Sequence, residues 1–324
     1  MVDLLPSDEQ DEIVSAIRSL LADRVPPERL HERDGAPDVV DAELWKTCAE
    51  LGWFGLGVSE ADGGVGYSVV EEALLCCELG ASLAPGPWVA QLVAIHAALA
   101  LGHADEAAAL VGGEQRAAWF GPQSHDGARL LHHPQGAHVA VSIDGSDAGW
   151  WSTVPAGDAL HSIDALTPLR RVGGSAATPT QVAAGRWERA ALLLAATAAG
   201  IARATAEQSR QYSLDREQFG QPIGGFQAVK HRCADMATRA DAAVQQVRYA
   251  SVAFRDGHAD AALQIAAAHQ ISVRAALDNA EVNVQNHGGI GFTWEHSAHR
   301  YVTRAQVTRF MIDPSAVTAA LLTT

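Results

Sequence analysis

Cysteine is scarce, with four in 324 residues. Cys48, Cys76, Cys77 and Cys233 all fall in stretches of helical periodicity, and the adjacent Cys76 and Cys77 point in different directions. Neither a disulfide framework nor a zinc site is expected, and the thiols read as buried and free. Basic residues are also short: 23 Lys and Arg stand against 38 Asp and Glu, a formal charge of -15. That balance excludes unaided docking on nucleic acid or anionic lipid, which both need a basic surface. The N-terminal MVDLLPSDEQDEIV lacks the basic-then-apolar order of a leader, and no uninterrupted apolar run reaches membrane-spanning length, so a cytoplasmic protein without membrane insertion is expected. No short internal repeat is evident. The Gly63–Gly66 run lacks the Lys and Ser/Thr of a phosphate loop. Glu295, His296 and His299 are not in His-Glu-x-x-His order, and His132–His133 has no metal spacing, so no metal site is predicted.

What is present suits a folded chain of more than one ordinary domain, with 48% hydrophobic and 19% charged residues. Behind a Ser7 cap, Ile13, Ala16, Ile17, Leu20 and Leu21 recur at helical spacing, which predicts a helix over 7–25. Residues 44–51 and 69–83 repeat the pattern around the turn-rich 59–66, and Ala84-Pro85-Gly86-Pro87 stops the second of these. Helices over 89–101 and 104–111 close an N-terminal helical region. From 117 to 185 the composition shifts to Gly, Pro, His, Ser and Thr, with β-prone runs at 137–143 and 150–154. From 186 onward, long Ala- and Leu-rich helices return, interrupted near 220–225, 256–257 and 288–291. Helices, then strands, then helices point to segregated layers and disfavour a Rossmann domain. The expected domains are 1–116, 117–185 and 186–324.

The segment Arg216-Glu217-Gln218-Phe219-Gly220-Gln221-Pro222-Ile223-Gly224-Gly225-Phe226-Gln227 resembles the acyl-CoA dehydrogenase signature, in which an arginine, a Phe-Gly pair and a downstream glutamine recur at this spacing. Gln285-Asn286-His287-Gly288-Gly289-Ile290-Gly291-Phe292 resembles the family's glutamine and double-glycine turn. Leu44-Trp45, Glu50-Leu51-Gly52-Trp53, Gly63-Gly64-Val65-Gly66 and Glu78-Leu79-Gly80 are similar to its first domain. The resemblance implies a mainly α fold with a reduced β domain between an N-terminal helical domain and a C-terminal four-helix bundle. It also implies FAD as cofactor, an acyl-CoA thioester as substrate and an electron-transfer acceptor. Arg216, Phe219, Gln227, Gln285, Gly288 and Gly289 would then reach across an oligomer interface to FAD in a neighbouring subunit. The chemistry suits them: a pyrophosphate takes cationic and backbone N–H donors, which an arginine and a glycine turn supply, and glutamines can hydrogen-bond the adenosine part. Taken one at a time, Arg216 also reads as a surface ion-pair partner, Phe219 as core and the glycines as helix breaks.

The departure from the family lies in the middle, where the Thr-Glu-Pro and Ala-Gly-Ser-Asp-like strings that hold the flavin ring are absent and Trp150-Trp151-Ser152-Thr153 is only faintly similar to a further Trp-Ile-Thr string. The reaction also needs a positioned carboxylate to take the α-proton. Many family members carry it as Glu-Gly in the final loop, where this sequence has Met311-Ile312-Asp313-Pro314-Ser315. Others carry it as the Glu-Arg pair matched by Glu188-Arg189, which makes Glu188 the internal candidate, although acidic residues are also common in a helix's first turn. The preferred reading is a shortened subunit that shares one FAD with a homologous partner, two of each as in the actinobacterial heterotetrameric steroid-CoA dehydrogenases it resembles. The rivals are a homomeric enzyme with Glu188 as base and a noncatalytic structural subunit.

Overall fold

Ser7 starts the first helix by a reciprocal cap: its hydroxyl accepts from the Gln10 N–H while the Gln10 side chain accepts from the Ser7 N–H. The computed structural model describes residues 6–322, so the leader reading of residues 1–5 lies outside them. Helix α1 (Asp8–Arg24) is followed by α2 (Ala42–Glu50), capped by the Asp41 carboxylate, and by α3 (Val69–Ala81), which has a second capping box made by Ser68 and Glu71. Helices α4 (Trp88–Leu101) and α5 (Ala104–Val111) complete the N-terminal group. Trp45, Phe54 and Trp88 meet between them at ring separations of 4.4–6.0 Å.

The middle of the chain forms one seven-stranded sheet in the order β5-β6-β2-β1-β3-β4-β7, with β1 (Ala117–Phe120) parallel to β3 (Val139–Asp144) and the remaining pairs antiparallel. The other strands are β2 (Arg129–His132), β4 (Asp147–Trp151), β5 (Asp158–Leu160), β6 (Leu169–Val172) and β7 (Gln181–Ala183). The central strands β1, β3 and β4 are buried on both faces, which hides the alternation that marks a half-exposed strand, whereas β5 is exposed throughout. Trp119, Val141 and Trp150 join the main core, whereas Ala118, Phe120, Ala140 and Trp151 turn to a smaller cluster on the opposite face. The sequence reading identified strands only near β3 and β4.

Three long helices follow: α6 (Trp187–Asp215), α7 (Gln227–Arg255) and α8 (Ala261–His287). With α9 (Ala298–Arg309) they form the four-helix bundle, and α10 (Pro314–Leu322) packs on α8. Helix α6 has the length and composition to cross a membrane, but 78% of its apolar window is buried inside the protein, because it touches α3, α7 and α8 at once. Its approach to α3 is backbone to backbone. A Cβ added at Gly200 would lie 1.9 Å from the Cys77 carbonyl oxygen, and one added at Gly80 would lie 2.1 Å from that of Thr197. Gly200→Ala must therefore push the two helices apart. We expect it to cost about 1–3 kcal/mol or more, read as a lowered midpoint in urea unfolding, with the same substitution at Gly173, which is open and at negative φ, serving as control.

Candidate functional site

At one end of the bundle α6 stops at Asp215, and the Arg216 N–H closes its last turn by donating to the Tyr212 carbonyl at 2.9 Å. A two-strand hairpin follows, β8 (Glu217–Gln218) with β9 (Gln221–Pro222). Its turn residues Phe219 and Gly220 have φ of 54° and 78°. Positive φ suits glycine and hairpin turns of the primed type, but it is uncommon for an aromatic residue and marks a position worth its strain. The Phe219 ring is 93% exposed and meets the edge of Phe226 at 6.0 Å. Arg216 is also exposed and has no carboxylate partner among the described residues. Gln227 opens α7, whose first turn carries no acidic residue and is soon followed by the exposed Lys230 and Arg232, so the positive end of the helix dipole is left unneutralised.

The second motif arrives at the same end. Gln285 is exposed in the last turn of α8, His287 ends that helix, and Gly288 departs at φ 62°. A Cβ added at Gly288 or Gly289 would meet nothing within 4 Å, so the turn presents its backbone to open space. The Asn286 amide donates to Ser209 of α6 at 2.7 Å, and the Tyr212 hydroxyl donates to the His287 carbonyl at 3.4 Å. Arg216, Phe219, Gln227, Gln285, Gly288 and Gly289 thus come together on an exposed end of the bundle. Beside them the sequence reading missed Phe292, 75% exposed, and Trp294, 68% exposed. The aromatic following Gly291 was the available signal. His296 and His299, considered above as metal mimics, instead meet the rings of His287 and Trp294 at 4.4 and 5.2 Å.

Glu188 lies elsewhere, half-buried in the first turn of α6. Its neighbour Arg189 reaches the wholly buried Glu72 of α3, whose other carboxylate oxygen meets His96 Nε2 at 2.8 Å. Burial pushes the Glu72 carboxyl up, but Arg189 and His96 outweigh it and hold it below the usual carboxylate range. Gly57 permits this cluster, since a Cβ there would fall 2.4 Å from the Glu72 oxygen.

The final loop turns Met311 and Ile312 inward and leaves Asp313, Pro314 and Ser315 exposed. Asp313 does not point into a pocket: its carboxylate accepts from the Ser315 N–H at 2.8 Å and begins α10. Met311 gives its carbonyl to the Trp119 indole N–H at 2.6 Å and lines a cavity of about 60 Å³ with Trp88, His133, Leu194 and Arg304. Ligand pockets begin at roughly 300 Å³, so this space does not fit a flavin ring. Trp150 and Trp151 are fully packed on opposite faces of the sheet and offer none either. The exposed bundle end does fit the pyrophosphate side of FAD, with an unpaired guanidinium, an open glycine turn and a helix N-terminus.

His133, which lines that cavity, and its neighbour His132 both have Nδ1 buried without a partner, and burial lowers their pKa to about 3 and about 4; His269 in α8 is lowered by burial alone to about 4. The unfolded chain takes up these protons near pH 6.5, so stability is level above neutral pH and falls as pH drops from 6.5 toward 4. Each histidine adds about 1.4 kcal/mol per pH unit in that window. Urea midpoints from pH 7 to 5 should therefore decline, and His269→Leu should remove one such increment of slope.

The acyl-CoA dehydrogenase N-terminal domain matches residues 7–111 and the family's C-terminal domain matches residues 180–321. Acyl-CoA dehydrogenase IpdE2 of Mycobacterium tuberculosis is 31% identical over 313 residues, covering 96% of this chain and 95% of that one. Acyl-CoA dehydrogenase FadE34 of the same organism is 36% identical over 287 residues, 82% of this chain, which spans 40% of FadE34's length. Among solved structures, the ChsE4–ChsE5 complex from M. tuberculosis superimposes with a TM-score of 0.82 at 22% identity, covering 99% of this chain and 97% of that one. The Tcur3481–Tcur3483 steroid ACAD gives 0.81 at 24%, covering 97% and 96%. Two domain matches in chain order and a relative aligned almost end to end show that the chain belongs to the acyl-CoA dehydrogenase family of flavin-dependent oxidoreductases.

Proposed function

We propose that this chain is one subunit of a hetero-oligomeric acyl-CoA dehydrogenase, completing from outside a FAD site whose flavin ring and catalytic base belong to a homologous partner. The observation that carries this reading is a division within one chain. Its FAD-contact motifs lie together and exposed at the bundle end, while the space beside its own final loop measures about 60 Å³ and holds no free carboxylate among its lining residues. Bound FAD would supply the acceptor for the hydride that leaves the β-carbon of an acyl-CoA thioester. In this chain Arg216 would neutralise pyrophosphate charge, the Gly288–Gly289 backbone would approach it closely, and Gln227 and Gln285 would hydrogen-bond the adenosine side. Phe219, Phe292 and Trp294, too exposed to contribute to this chain's own core, would be covered by the partner. Two structural neighbours carry paired subunit names, and one is titled a steroid ACAD; these support an assembly of unlike subunits acting on a steroid-derived thioester. In this reading the assembly holds two of each and passes electrons to a separate acceptor.

The test is flavin stoichiometry in the purified assembly. One FAD per unlike pair is expected, with Glu188→Gln leaving turnover within about threefold. A homo-oligomer carrying one FAD per chain, in which Glu188→Gln loses about 10²–10⁴ of the rate, would overturn the shared site and make Glu188 the base.

A further inference from the structure

We propose that Tyr212, His287 and His296 form an aromatic positioning column that sets the distance between Arg216 and the Gly288–Gly289 turn, so that this chain offers FAD a half-site shaped in advance. The inference rests on the shared-site reading. The rings of Tyr212 and His287 stack at 4.2 Å and 28°, and those of His287 and His296 lie 4.4 Å apart at 45°. Each ring comes from a different segment. Tyr212 sits one turn before Arg216 and accepts the Arg216 N–H on its carbonyl, His287 immediately precedes Gly288, and His296 precedes α9.

The column is braced on its sides. The His287 ring Nδ1 is 2.8 Å from the Asn283 carbonyl, which assigns its proton to that nitrogen. Asn283 donates to Gln208 of α6 at 2.6 Å, and Gln208 donates to Ser297 at 2.9 Å. His296 Nδ1 accepts the Ala298 N–H at 3.1 Å and so caps α9. The turn it supports has few holds of its own. Gly288 and Gly289 lack side chains, Cβ atoms there would touch nothing within 4 Å, and Ile290 and Phe292 are exposed. His287 is buried, 4% exposed, where the glycine turn joins the end of α8. Groups that bind a charged ligand must be held by packed neighbours to keep their geometry, and here the packed neighbours are these three rings.

His287→Ala removes the central ring and His287→Phe keeps it. We expect His287→Ala to raise amide exchange across residues 288–292 about tenfold in the purified chain. It should also weaken FAD retention by the partnered assembly about tenfold, which corresponds to about 1.4 kcal/mol. His287→Phe should stay within about twofold on both readouts. If His287→Ala does not fold, Tyr212→Leu against Tyr212→Phe, at a half-exposed position, makes the same comparison. Unchanged exchange in the ring-removed variants, or equal losses in the ring-retaining ones, would overturn the column. Arg216→Ala distinguishes the two ideas: if it leaves flavin content intact while His287→Ala loosens the turn, the shared-site reading fails and the column's structural role survives.

Discussion

Replacing Arg216 with alanine should weaken FAD retention by the partnered assembly about 10- to 100-fold while leaving the chain's own stability within about 0.5 kcal/mol. A hydrogen bond to a charged group is worth about 1.5–3 kcal/mol, and that sets the fold-change. The stability forecast follows from exposure: Arg216 lies on the surface with no ion-pair partner among the described residues, and surface substitutions of that kind are nearly neutral. The two halves of the forecast separate cofactor contact from folding. Arg216→Lys should recover part of the loss and no more, because a compact ammonium cannot reproduce a planar fork on a phosphate group. Flavin absorbance after gel filtration, at a fixed protein concentration, is the measurement. Full flavin occupancy in Arg216→Ala would remove this chain from the FAD site.

The second large effect lies in the buried cluster beneath the start of α6. Arg189→Met should destabilise the fold by about 3–5 kcal/mol, since it strips the guanidinium from a carboxylate that has no access to water. Glu72 is fully buried and its other oxygen is already committed to His96. The companion forecast is the sharper one. Combining Arg189→Met with Glu72→Leu should cost less than Arg189→Met alone, because an apolar pair of similar volume removes the stranded charge. A double-mutant cycle in urea reads this directly, and a double variant worse than the single would show that Glu72 contributes more by shape than by charge.

Much of the helical framework was legible in the chain. The capped amphipathic start of α1, the Pro and Gly stop after α3 and the interruptions bounding α6, α7 and α8 are local signals, and local signals survive folding. The sheet was less legible, since its strands are three to six residues long and the central ones, β1, β3 and β4, are buried on both faces, where alternation gives no contrast. Glu188 illustrates another limit. Its place beside Arg189 could be matched to a family motif, but the fact that Arg189 is engaged by Glu72, 117 residues earlier, follows from the packing of α3 on α6.

By itself the sequence determined the order of helical and β regions and the family, because caps, turns and the two spaced motifs are properties of short stretches of chain. Only the tertiary structure decided which groups share a surface. It carried Arg216, Gln227 and the Gly288–Gly289 turn to one open end of the bundle, turned the Asp313 carboxylate to a helix cap and closed the space beside Met311 to about 60 Å³. These are consequences of long-range packing: cavity size and exposure depend on how distant helices and strands fill the same volume, and no local spacing of residues encodes that.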